Sequence, residues 1–151
     1  MVKINWLRSF YNLGLMANLL AFASLWIPDY IAQYPNGTAT VNFWGSDNNS
    51  ILEINASNYF IVILIIASFV ALLTAIFYRK RPMVIVNLVV SLLSSLGLLY
   101  WSLAQFSSIN FLTEVSSPSS VTYAPGIFIR FFTGIILLMC VAGIFIQERK
   151  S

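Results

Sequence analysis

Arg130 stands inside the apolar run from Gly126 to Ile146 (GIFIRFFTGIILLMCVAGIFI), where its charge demands a chemical explanation. A guanidinium in hydrocarbon costs about 3 kcal/mol or more unless it finds water or a partner. Three outlets are open. The side chain can snorkel to the nearer interface. It can pair with Asp29 or Glu114 as an intramembrane ion pair, or meet an acidic group on a partner protein or lipid. The other residues with latent chemistry are asparagines. Asn36-Gly-Thr, Asn48-Asn-Ser and Asn55-Ala-Ser match the N-glycosylation acceptor pattern. They are glycan candidates if their segment faces the exterior.

The remaining catalytic vocabulary is thin. The chain has no histidine, so imidazole-ligated metals and the usual general base have no material. A single cysteine, Cys140, provides neither an internal disulfide nor a redox pair. Asp29 and Asp47 fall outside the apolar runs, and no Gly-rich phosphate loop or basic aromatic surface for nucleic acid occurs. The sequence therefore predicts no enzyme, no cofactor of its own and no nucleic-acid partner.

These residues are held by apolar elements. Of 151 residues, 59% are hydrophobic and only 9% charged, against about 25% charged in soluble domains. Each membrane helix needs roughly 20 apolar residues, and four runs qualify: about 10–28, 59–78, 83–105 and 126–146. The first has a rival as a cleavable signal peptide, with Lys3 and Arg8 as its basic start and Ala21-Phe22-Ala23 as a cleavage pattern. It is read here as a retained helix. The result is a single all-α membrane domain with loops at 29–58 and 106–125.

Short loops rich in Lys and Arg stay in the cytoplasm. Lys3, Arg8, Arg79, Lys80, Arg81, Arg149 and Lys150 all fall on one side of a four-span arrangement, leaving Arg130 as the exception. Both termini are expected in the cytoplasm, the basic clusters facing lipid headgroups. The sequons then lie outside, as in a glycoprotein of the cell membrane.

Thr38 to Trp44 (TATVNFW) alternates, Gly45 to Asn49 is rich in turn formers, and Ser50 to Asn55 (SILEIN) alternates again. This predicts an antiparallel hairpin. A weaker one is expected from Asn110 to Val115, a turn at 116–120, then Val121 to Tyr123. Two hairpins pairing over the bundle would make a small extracellular β cap. With Phe43-Trp44-Gly45 matching part of a tryptophan-glycine signature, this plan resembles the claudin-like tetraspan family. The family's paired loop cysteines are absent. The resemblance implies four helices, cytoplasmic ends, an outer sheet and a role in adhesion or barrier formation.

In lipid, helices associate through small residues and interhelical hydrogen bonds. Ala67, Ala71 and Ala75 recur every four residues, as do Asn87, Ser91 and Ser95. Gly14 and Asn18 offer a face on the first run, and Gly134 opens the fourth. These are predicted helix contacts; the alternative is a polar seam conducting a small solute. The expected function is that of an accessory or structural subunit of a larger membrane complex, whether respiratory, another enzyme or a transport assembly. A claudin-like adhesion protein and a small-solute channel or carrier are the alternatives.

Overall fold

In a computed structural model, the chain is described at residues 6–46, 56–78, 80–116 and 118–150, and the side chains of 45–46, 56–58, 108–116 and 150 lie outside that description. Four helices dominate: α1 (Trp6–Ala23), α2 (Ala56–Phe77), α3 (Arg81–Ser116) and α4 (Pro125–Lys150). Proline opens two of them at little cost. Pro125 is the first residue of α4 and Pro82 lies in the first turn of α3, where a missing N–H breaks no helical bond. A short turn around Lys80 folds α3 back along α2.

The helices form a ring in which α1 packs on α2 and α4, and α3 packs on the same two neighbours. Three of them, over Tyr59–Phe77, Arg81–Ser107 and Pro125–Arg149, are long and apolar enough to cross a membrane. The first predicted run, 10–28, is not a continuous α-helix. α1 covers 18 residues, followed by a 3₁₀ turn at Ser24–Trp26. At 1.5 Å per residue α1 spans about 27 Å, and Arg8, Ser9, Asn12 and Asn18 dilute its apolar character.

The sheet departs from expectation in its pairing. Strand β1 (Tyr30–Tyr34) pairs antiparallel with β2 (Gly37–Asn42), and β4 (Ser120–Tyr123) pairs with the other edge of β1. A two-residue strand, β3 (Gly45–Ser46), completes the order β3-β2-β1-β4. The described hairpin turns at Pro35-Asn36, with Tyr34 opposite Gly37, and Gly45-Ser46, expected in a turn, form a strand instead. Gly37 has φ 147°, a conformation that side-chain-bearing residues rarely adopt. The proposed partner arm, Ser50 to Asn55, lies outside the described residues.

The second predicted hairpin is also corrected. α3 continues through Ser116, so 110–115 are helical, and only Val121 to Tyr123 keep the expected strand form. A helix already under way gains one backbone bond per residue added, whereas an isolated strand arm has no ladder to join. Both loops therefore feed one sheet. Its buried side is formed by Tyr30, Ala32, Ala39 and Val41, with Val121 packed beside Tyr30 and Val41.

Two apolar clusters fill the bundle. Near the sheet, Ala21, Leu25, Phe43, Ile61, Ile65 and Leu98 pack together. Toward the opposite end, which carries the described basic residues Arg8, Lys80, Arg81 and Arg149, lie Tyr11, Leu72, Ala75, Leu137 and Ile144.

Candidate functional site

Two sets stand out among the buried polar groups of the described residues, a charged junction under the sheet and a seam along the bundle axis. The junction begins with α4. Arg130 lies five residues beyond Pro125, so its side chain starts about 7.5 Å along the helix. It does not snorkel. The guanidinium is wholly buried, pairs with the equally buried Asp29 carboxylate, and donates from Nη1 to the Ser24 carbonyl oxygen at 2.6 Å. Its Cζ lies 5.6 Å from the centre of the Phe43 ring, within reach of the cation–π attraction.

Asp29 is fixed by its backbone as firmly as by its charge. Its N–H donates to the Val41 carbonyl at 2.7 Å, and its own carbonyl accepts from the Ala124 N–H at 2.8 Å. The next link is Gly126, whose N–H donates to the Pro28 carbonyl at 2.8 Å. A Cβ on Gly126 would collide with the carbonyl oxygens of Ile27 and Pro28 and with Asp29 Oδ1. Glycine is required there because two backbones touch. The junction ties the end of α1, the sheet and the start of α4 into one unit. Sequence reading missed Ser24 and gave Phe43 and Gly126 no part in this junction; the Pro125-Gly126 pair opening an apolar run was the available signal for a close approach.

The seam is a directed chain of hydrogen bonds. Asn18 Nδ2 donates to Gly14 O at 3.0 Å and to Ser68 Oγ at 3.1 Å. Ser68 and Ser91 hydroxyls are 3.0 Å apart, and Ser91 Oγ donates to Asn87 Oδ1 at 3.1 Å. A serine hydroxyl carries one proton. With Ser91 donating onward, Ser68 must donate to Ser91, and the chain reads Asn18→Ser68→Ser91→Asn87. Ser95 Oγ separately donates to Gly134 O at 2.8 Å.

Three of the four neighbouring helix pairs in the ring therefore carry a polar tie. Asn18–Ser68 joins α1 to α2, Ser68–Ser91 joins α2 to α3, and Ser95–Gly134 joins α3 to α4. Arg130 joins α4 to the 3₁₀ turn and loop that follow α1. Small residues allow the approach. A Cβ on Gly14 would lie 3.2 Å from a Leu72 methyl, and one on Gly134 3.0 Å from Leu99 Cγ. Ala75 is fully buried, while Ala67 and Ala71 are half-buried.

Of the glycan candidates, Asn36 is exposed at the hairpin tip, and Asn48 and Asn55 lie outside the described residues. The side chain of Glu114, the other candidate partner for Arg130, also lies outside them. Among the described residues no three His, Cys, Asp or Glu side chains converge as a metal-holding group. Outside the spans, burial pushes the Tyr30 hydroxyl up to about 12, with Tyr34 adding to the effect. No known protein family and no curated protein matches the chain.

Proposed function

We infer that this chain is a non-catalytic membrane protein, an accessory or structural subunit of a larger membrane assembly. The observation that carries this reading is the set of polar ties. Within the bundle Asn18, Ser68, Ser91 and Asn87 are engaged with one another, with Asn18 Oδ1, Asn87 Nδ2 and Ser94 Oγ left without a partner among the described residues, while bulky apolar side chains face outward. On α1 these include Leu13, Met16, Leu19 and Leu20, each about half exposed or more. Such a face is suited to lipid or a neighbouring helix, which supports α1 as the fourth span beside α2 and α4.

The proposed orientation follows from charge. The sheet caps the exterior, both termini lie in the cytoplasm, and the plasma membrane is the natural setting. Asn36 at an exposed tip would then carry a glycan where the host glycosylates its surface. Partners would be lipids and other membrane subunits, with any cofactor held by those subunits.

One observation favours a second reading, claudin-like adhesion or barrier formation: strands from both loops join in one sheet at a single end of the bundle. Flux measurements test the primary reading against a transporter. Liposomes containing only this chain should pass no small polar solute. Steady flux abolished by Ser91→Ala would sink the accessory role.

A further inference from the structure

We propose that the cleft between the basic ends of α3 and α4 binds the headgroup of an anionic phospholipid. The cleft has a volume of about 740 Å³, and Arg81 and Arg149 stand on its two walls. Between them run Val84, Ile85 and Leu88 from α3 and Phe145 from α4. Arg81 opens the apolar stretch of α3 and Arg149 closes that of α4. Both guanidiniums therefore sit where hydrocarbon gives way to headgroups.

The geometry matches a phosphodiester with an attached acyl chain. Arg149 Cζ lies 4.8 Å from the centre of the Phe145 ring. A guanidinium held over a ring uses its face and keeps its in-plane N–H donors for phosphate oxygens. Glu148 also lines the cleft, so its fixed charge is +1, which balances one phosphodiester. Exposed Lys80 precedes the cleft and adds to the attraction. The apolar walls separate this site from one for a free phosphate ester, which would leave Val84, Ile85 and Leu88 uncovered. A zwitterionic lipid offers the same phosphate but brings a cation toward two arginines. This site is independent of the accessory-subunit reading.

The test uses the full chain in mixed micelles with equal phosphatidylglycerol and phosphatidylcholine, followed by native mass spectrometry of retained lipid. Each basic residue near such a surface is worth a factor of about five. The wild type should retain phosphatidylglycerol preferentially, and Arg81→Gln or Arg149→Gln should each reduce that preference about five-fold. Excess inorganic phosphate should leave the lipid in place. Equal retention of the two lipids by the wild type overturns the proposal, as does a preference unchanged in the double variant. Displacement by inorganic phosphate would assign the site to a soluble anion instead. Should the variants fail to fold, the wild-type comparison still decides.

Discussion

At the scale of residues, the Arg130–Asp29 pair is the costliest feature to disturb. Removing one member of a buried pair leaves an uncompensated charge, at about 3–5 kcal/mol, whereas replacing both by apolar groups is often neutral. Arg130→Met should therefore strongly destabilise the fold, and adding Asp29→Leu should restore most of the loss. Reversible unfolding in detergent checks this. Single and double variants of equal stability would mean that the pair is not coupled as described. Gly126 gives a companion prediction. Gly126→Ala must displace backbone, whereas a Cβ on Gly97 meets only the Leu64 and Ile61 side chains, at 3.4 and 4.0 Å. Overpacking of this kind costs about 1–3 kcal/mol, so Gly126→Ala should be clearly the worse of the two in the same assay.

Elements explain what could be read from the sequence and what could not. Three long apolar runs announced α2, α3 and α4, because hydrophobic length needs no partner to be visible. The face each helix buries was harder. On α2 the buried residues are Ile61, Ile65, Ser68, Leu72 and Ala75, a spacing alternating four and three that keeps one seam toward a neighbour. The alanine stripe at 67, 71 and 75 drifts off that seam, and a helix apolar all round gives no contrast to reveal it. Asn18, Asn87, Ser91 and Ser95 stood out as polar exceptions; Ser68, which links Asn18 to Ser91, did not. Arg130 and Asp29 were legible as a candidate pair because charge is rare here, but their backbone setting depends on contacts remote in sequence. Strand β1 was missed because Tyr30–Tyr34 (YIAQY) does not alternate in polarity, and the richer turn cluster at 45–49 drew the hairpin away from Asn36-Gly37.

Two predictions belong to these elements. Ala75→Leu would force helices apart at about 1–3 kcal/mol, while Ser91→Ala loses interhelical hydrogen bonding worth on the order of 0.6 kcal/mol. Bulk should therefore harm the bundle more than lost polarity, and unfolding midpoints showing the reverse would contradict the seam as a packing device. For the sheet, Tyr30 in the folded state holds its proton from its ordinary value of 10.0 up to about 12. The native state then binds more protons than the unfolded one across that window, so stability falls as pH rises through it. Phenolate absorbance should show a late-titrating component that is lost in Tyr30→Phe. A Tyr30→Phe variant with the same alkaline loss of stability would rule the effect out.

On the scale of the whole molecule, the polar ties and the outward apolar faces are what support the proposed accessory role. Orientation is part of that account. Asn36→Cys should react with an impermeant thiol reagent in sealed cells and Lys80→Cys should not; the opposite pattern would invert the chain. Claudin-like self-association and an accessory role differ in what is found beside the chain in its own membrane. Native mass spectrometry of the gently solubilised protein from that membrane tests the central claim most directly. The account predicts the 16.9 kDa chain in a fixed ratio with at least one different membrane protein. A species containing this chain alone, as monomer or homo-oligomer, would contradict it.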